Sequence, residues 1–414
     1  MNVSIIAIGD ELLIGQVTDT NSGDIARQIS PYGWRVNDVQ VVGDNADEIL
    51  RAIDRAFESS DIVLTTGGLG PTKDDITKGT LCQYFGGELH HDPAVLENVK
   101  EVVAKRGLKL NDLTAAQAIV PTSCRVIQNR VGTAPLMWFE RDGRVLVSMP
   151  GVPFETRTMF REEVMPMLLG KFASDVAIGH RTVIVTDWSE SQLAMHLSEW
   201  EDALPPYLHL AYLPKPGLIR LRLDGQHRDA AFIESELTKY HDQLLALVGD
   251  TLISDGDKTM AEVLLDHLRR LRLTVATAES CTGGNIAHLI TSIPGSSESF
   301  MGSVVAYSNS VKERVLSVDG TTLAGHGAVS IPVVEQMARG AIDRIGTDCA
   351  IATSGIAGPG GAVAGKPVGT VCIAVTTPAG TVSDTFHFPG SRDRVIDRAS
   401  TVALILAIKQ LRKL

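Results

Sequence analysis

Short apolar runs alternate along this chain with longer amphipathic stretches. Val3–Ile8, Val36–Val42 and Asp61–Thr66 read as strands, and Asn21–Ile29 and Ala46–Glu58 as the helices between them. The Asp19-Thr20-Asn21 run supplies a cap for the first helix. Gly87–Gly107 adds a helical excursion, Val145–Met149 another strand and Phe154–Leu169 a closing helix. Strand and helix in regular alternation predict an α/β domain with a largely parallel sheet over residues 1–171.

The pattern then changes. Arg181–Thr186 and Leu218–Leu223 read as short strands, the second alternating apolar and basic residues as a half-exposed strand should. Ala230–Val248 reads as an amphipathic helix, and Pro205-Pro206 and Pro214-Lys215-Pro216-Gly217 as loops. Residues 172–252 therefore read as a small α+β module, with Ile253–Asp257 as a linker. The α/β rhythm returns over 253–414. Helix Met260–Leu271, an apolar run ending at Ala276 and strand Ser303–Tyr307 lead into helix Pro332–Ile345, strands Cys349–Ser354 and Gly369–Thr376, and helix Arg392–Leu411. The expected fold class is two three-layer α/β domains joined by the small module.

Composition narrows the picture. The 414 residues are too many for one ordinary core. A net charge of −11 disfavours broad binding to nucleic acid or anionic membrane, and the middle module lacks a Gly-x-x-Gly loop flanked by basic residues. The first residues form a strand that enters a Gly-Asp-Glu turn, without the basic start and cleavage site of a signal peptide, and no apolar run is long enough to span a bilayer. The five scattered cysteines, Cys82, Cys124, Cys281, Cys349 and Cys372, show no metal-ligand spacing. Free thiols in a reducing cytoplasm are the simplest account.

The densest chemistry lies at Thr277–Gly284, where Ser280 and Cys281 sit on a sharp turn from a buried strand to a helix, with Gly283 and Gly284 behind them. Such a turn exposes a nucleophile beside backbone N–H groups able to hold an oxyanion or a phosphate. It is equally the small-residue turn that lets a helix pack close to a strand. Lys312 falls in the first turn of a helix for which Asn309 is the expected cap. There the helix dipole and burial both disfavour an ammonium, and a lowered pKa suits a Lys general base. Ser with Lys is a recurrent variant of triad chemistry, in which Tyr307 could relay the proton or orient the pair. Cys281 is the rival nucleophile, but no His is an obvious partner for it.

Six ordered segments carry a resemblance: Ala278–Gly284, Tyr307-Ser308-Asn309 with Lys312, His326–Ser330, Ser354–Pro359, Lys366–Thr370, and Phe388-Pro389-Gly390 with Arg392. Together they resemble the C-terminal domain of the competence/damage-inducible CinA family, the nicotinamide-nucleotide amidohydrolases. The resemblance implies conversion of nicotinamide mononucleotide to nicotinic acid mononucleotide and ammonia, with no cofactor. Ser280 would attack, Lys312 take its proton, Tyr307 assist and N–H groups near Gly283 hold the oxyanion. Thr282, Gly283, Gly284, Asn309, Ser354, Gly355, Gly358 and Arg392 would line the substrate site, Arg392 toward the phosphate. Gln336 stands where the family often has Glu, and Ile396 where it has a second Arg.

At the other end, strand Asp61–Thr66 runs into a loop containing Gly67, Gly68, Gly70, Thr72, Asp74 and Asp75. Glycines permit close approach of backbone to phosphate, and paired carboxylates suit a divalent ion bridging a pyrophosphate. The plainer account of the acids is a helix start favoured by the dipole. Asp10, Glu11, Asp19 and Asn21 bring further polar groups to the end of the first strand. These motifs resemble the molybdopterin-binding (MogA/MoaB-like) domain in the form that opens CinA chains, and the middle module is similar in position and size to the family's KH-like connector. The resemblance implies metal-dependent cleavage of ADP-ribose to AMP and ribose 5-phosphate. Asp74, Asp75 and Asp19 would hold Mg, Mn or Co, with K as a further ion, and Gly67, Gly68, Gly70, Thr72, Asp10, Glu11 and Asn21 would bind substrate. Leu136 replaces the Gly usual after Ala134-Pro135.

The expectation is a cytoplasmic bifunctional hydrolase of pyridine-nucleotide salvage, a homodimer with two small-molecule nucleotides as substrates and neither membrane nor nucleic acid as partner. The alternative of another class is a non-catalytic nucleotide- or molybdopterin-binding regulatory protein.

Overall fold

A computed structural model describes residues 1–72, 74–172 and 176–414. Lys73 of the glycine-rich loop and residues 173–175 of the expected middle module lie outside the described residues. The chain is of the α/β class. It divides into two compact units, residues 1–179 with 226–234, and residues 180–225 with 235–414.

The first unit is built on strands β1 (Asn2–Ile8), β2 (Arg35–Val42), β3 (Ile62–Thr66), β4 (Leu89–His91), β5 (Ile119–Pro121), β6 (Arg125–Ile127), β7 (Leu136–Arg141) and β8 (Arg144–Met149). Six of them form one sheet in the order β2-β1-β3-β8-β7-β6, parallel from β2 to β8 and antiparallel beyond. Strand period sets the layers. Val3, Ile5, Ile62, Leu64, Val145 and Val147 face one core with helices Asn21–Ile29 and Pro153–Met159. Ile6, Ile8, Val63 and Leu146 face the other, against helix Ala46–Ser59. The closing helix runs from Pro153 to Lys171 through a π turn at Phe160–Val164. Strand β7 escaped the sequence reading because its run is short and continuous rather than alternating. It begins at Leu136, whose side chain is fully buried in the first core, so the exchanged glycine position is filled by packing.

The next strands are β9 (Ala177–Val185), β10 (Leu208–Lys215), β11 (Leu218–His227) and β12 (Leu252–Asp255), paired in the order β10-β11-β9-β12. Two expectations are corrected here. Pro214 and Lys215 belong to β10, since Lys215 pairs Leu218 across a turn of Pro216 and Gly217. The expected linker begins as β12, where Ser254 and Asp255 pair Ile184 and Val183 of β9.

The last sheet holds β13 (Val275–Glu279), β14 (Phe300–Val305), β15 (Cys349–Gly355), β16 (Thr370–Thr377) and β17 (Gly380–His387), in the order β14-β13-β15-β16-β17. Its first three strands are parallel, the last two antiparallel. One face offers Ala276, Ala278, Ala350, Ala352 and Ala374, small side chains that let helix Ile331–Ile345 approach closely. The other packs Val275, Ile351, Ile373 and Val375 against helices Met260–Leu271 and Arg392–Leu411. The exits of β13 and β15 and the loop after β14 bring the reactive residues together, as expected of the carboxyl ends of parallel strands. Among the described residues no helix is long and apolar enough to cross a membrane.

Candidate functional site

In the last α/β domain, Ser280 leaves β13 with its N–H held by Thr353 O at 2.9 Å. The helix Asn309–Leu316 starts after β14 and is capped by Ser308, whose Oγ accepts from Val311 N. This corrects the expected cap, because Asn309 is itself the first helical residue. Lys312 is 1% exposed. Its Nζ lies 2.9 Å from Ser280 Oγ, 2.7 Å from Ala306 O and 3.3 Å from Tyr307 O. Burial holds its pKa below the ordinary lysine value, and none of the ion pairs among the described residues gives it a carboxylate. Two carbonyls match the two N–H bonds of a neutral amine, which leaves its lone pair toward the Ser280 hydroxyl. The protonated amine would find all three of its donors satisfied by the same oxygens. The group is therefore set to take a proton from Ser280 and return it.

Cys281 lines the same cavity but is 5% exposed, and burial pushes its thiol up to about 12. A thiol protonated at neutral pH is a poor nucleophile.

The cavity, about 180 Å³, is lined by Ser280, Tyr307, Asn309, Lys312, Ser354, Gly355 and Arg392 among the expected residues, with Ala328, Val329 and Ala357 added. Tyr307 reaches Lys312 through its carbonyl. Its side chain is 63% exposed, and its phenol oxygen accepts from Arg392 Nη2 at 3.1 Å. Arg392 also donates to Gly358 O at 2.8 Å, which places Gly358 behind the guanidinium. Ser354 Oγ donates to Ala328 O.

The remaining expected ligand groups of this domain are occupied. The Gly283 N–H donates to Ser280 O, and the N–H groups of Gly284, Ile286 and Ala287 donate to the Glu279 carboxylate. Thr282 Oγ1 donates to the same carboxylate and lies 2.7 Å from Thr353 Oγ1. The expected oxyanion donors near Gly283 are thus already paired, a displacement that a sequence pattern does not reveal.

In the first unit the glycines of the loop after β3 answer to protein packing. A Cβ on Gly67 would meet Ile8 O at 2.0 Å, one on Gly68 would meet Thr77 Oγ1 at 2.0 Å, and one on Gly70 would meet Asp75 Oδ2 at 2.3 Å. Asp75 accepts from Gly70 N at 2.7 Å, and from both the N–H and the hydroxyl of Thr72 at 2.9 and 2.5 Å. Asp74 is exposed. Asp19 accepts from Ser22 N, and Asn21 donates to Gly151 O while its own Oδ1 is buried without a partner. Asp10 and Asp44 exchange backbone-to-carboxylate bonds at 3.1 and 3.2 Å. Burial first, then the charges of Asp10, Glu11 and Asp75, push the Asp44 carboxyl above its usual range. Asp44 and Lys78 were not singled out by the sequence. Lys78 donates to Gln117 O and Oε1, and burial pulls its pKa down to about 8. Asp75 and Asp19 are thus spent on donors of their own loops. Among the described residues no three His, Cys, Asp or Glu side chains form a metal-ligand set, so these residues do not fit a ready-made cage.

The family descriptions "CinA C-terminal domain" and "Probable molybdopterin binding domain" match residues 257–411 and 4–170. A CinA-like protein of Flavobacterium psychrophilum is 40% identical over 415 residues, covering 100% of this chain and 99% of the relative. One of Cytophaga hutchinsonii is 40% identical over 409 residues, with 99% and 98% covered. The crystal structure of the protein CinA from Thermoplasma acidophilum aligns at 35% identity and a TM-score of 0.37, over 40% of this chain and 97% of that one. The chain belongs to the CinA family.

Proposed function

We propose that the C-terminal domain hydrolyses the carboxamide of nicotinamide mononucleotide to the carboxylate, releasing ammonia. The observation that carries this reading is the 2.9 Å contact between Ser280 Oγ and a buried Lys312 that has no carboxylate partner among the described residues. Ser280 Oγ bonds to the carboxamide carbon as its proton passes to Lys312 Nζ. Lys312 then protonates the departing nitrogen, the C–N bond breaks and ammonia leaves an ester on Ser280. Water, deprotonated by the again neutral Lys312, attacks the ester and restores Ser280. Arg392, which lines the cavity and among the described residues has only the neutral oxygens of Gly358 and Tyr307 as partners, is the residue for the substrate phosphate. The test is incubation of the purified protein with nicotinamide mononucleotide. Equimolar nicotinic acid mononucleotide and ammonia support the reading; unchanged substrate sinks it.

For the N-terminal domain we propose a nucleotide site that cleaves the pyrophosphate of ADP-ribose to AMP and ribose 5-phosphate. Support comes from the Asp10–Asp44 pair, whose Asp44 carboxyl feels the charges of Glu11 and Asp75, and from the buried Asn21 Oδ1, which lacks a partner among the described residues while its amide holds Gly151 against Gly67 of the glycine loop. A bound Mg, Mn or Co ion would supply charge neutralisation of the pyrophosphate. The residues hold no ready-made cage, so no step is assigned to the metal. Metal-dependent AMP release supports cleavage; ADP-ribose binding without AMP favours the non-catalytic alternative.

A further inference from the structure

Glu279 is fully buried at the end of β13, one residue before Ser280, and the mechanism above does not use it. Its Oε1 accepts from Ala287 N at 2.8 Å and lies 3.2 Å from Thr277 Oγ1, whose single hydroxyl proton is shared with Ser303 Oγ at 2.7 Å. Its Oε2 accepts from Thr282 Oγ1 at 2.8 Å, and from Gly284 N and Ile286 N at 3.0 Å each. Four donors, with a share of a fifth, compensate a buried carboxylate that would otherwise be very costly. The backbone of the same residue reaches the base: Glu279 O accepts from Ala306 N at 2.8 Å, and Ala306 O accepts from Lys312 Nζ.

We infer that Glu279 is a positioning residue for the nucleophile and for the oxyanion site. Its carboxylate ties the Ser280–Gly284 turn to the start of the following helix and fixes the direction in which Ser280 leaves the strand. By taking the Gly284, Ile286 and Ala287 N–H groups it removes them as ligand donors. Among the described residues the Thr282 N–H has no acceptor and the Cys281 N–H has only its own thiol sulfur, so these two are left to receive the carboxamide oxygen. The N–H directly after a nucleophile is the donor that strand-to-helix nucleophile turns use elsewhere.

This inference rests on Ser280 being the nucleophile, so its test separates the two. A fluorophosphonate forms a P–O bond to an activated Ser Oγ, with fluoride leaving and the proton passing to the base, whatever the natural substrate. Labelling of Ser280 in the full chain is followed by mass spectrometry beside kcat and KM for nicotinamide mononucleotide. Glu279→Gln keeps the volume but turns an amide N–H₂ toward backbone donors. It is expected to slow labelling and to lower kcat at least 30-fold, with KM within threefold of wild type. Labelling and kcat within threefold of wild type overturn the inference, as does a wild type that is never labelled at Ser280. If wild type is labelled but releases no ammonia, and Glu279→Gln loses labelling, the positioning role stands and the substrate assignment falls. Should Glu279→Gln fail to fold, Thr282→Val withdraws one donor from the same carboxylate. It is expected to slow labelling about fivefold, and unchanged labelling in the folded variant overturns the inference.

Discussion

Ser280 Oγ and Lys312 Nζ meet at 2.9 Å although 32 residues separate them in sequence. The contact depends on two parallel neighbours, β13 and β14, which deliver the Ser280 turn and the start of the Lys312 helix to the same sheet end. Carbonyl partners in place of carboxylates keep Lys312 able to lose its proton.

The first prediction concerns pH. On the proposed mechanism Lys312 must be neutral to act, and burial lowers its pKa from the ordinary 10.5, so it is freed at a lower pH. Activity is expected to rise with pH along a limb centred below 10.5 and then to level off. Lys312→Arg, which cannot deprotonate, should lower kcat about 10³-fold and lose that limb. A pH–rate profile with the same limb in the Arg variant would assign the titration to another group.

Arg392 gives a second prediction. If its guanidinium holds the substrate phosphate, Arg392→Ala should raise KM for nicotinamide mononucleotide roughly 10- to 100-fold, the range of a lost hydrogen bond to a charged group. Nicotinamide riboside, which lacks the phosphate, should be turned over with a KM that hardly changes. Equal losses on both compounds would show that Arg392 acts through Tyr307 and Gly358.

Much of this domain is legible in the sequence because its signals are local. Helices Met260–Leu271 and Arg392–Leu411 follow from their apolar spacing and end where that spacing ends. Ser280, Lys312, Asn309 and Arg392 stand out as reactive residues at strand and helix boundaries, and the fold brings them to one cavity. What stays hidden is decided by partners distant in the chain. Asp75 as a loop brace, Lys78 at Gln117 and β12 paired to β9 each depend on a neighbour that no local pattern announces. Glu279 shows the same limit from close range. Its motif is visible, but whether its carboxylate faces substrate or the helix start is settled only by three-dimensional packing.

The glycine loop of the first unit yields a third prediction. Gly67 has φ of +102°, and a Cβ there would sit 2.0 Å from Ile8 O. Gly67→Ala should cost at least about 2 kcal/mol of stability in denaturant unfolding with no ligand present. A variant of unchanged stability that loses only nucleotide binding would instead make phosphate approach the reason for the glycine.

Lys78 supplies a fourth. Its folded pKa of about 8 lies below the ordinary 10.5, so the native state binds fewer protons than the unfolded state between those values. Stability contributed by this site therefore rises as pH increases from about 8 to 10.5, and the burial penalty is complete below 8. The melting-temperature difference between wild type and Lys78→Met should shift in favour of wild type across that window. A difference independent of pH would show that Lys78 titrates normally.

The most direct measurement is ammonia release from nicotinamide mononucleotide by wild type, Ser280→Ala and Cys281→Ala. The account predicts release by wild type and by Cys281→Ala at comparable rates, and none by Ser280→Ala. Activity that survives in Ser280→Ala but is lost in Cys281→Ala, or a wild type that releases no ammonia, would contradict it.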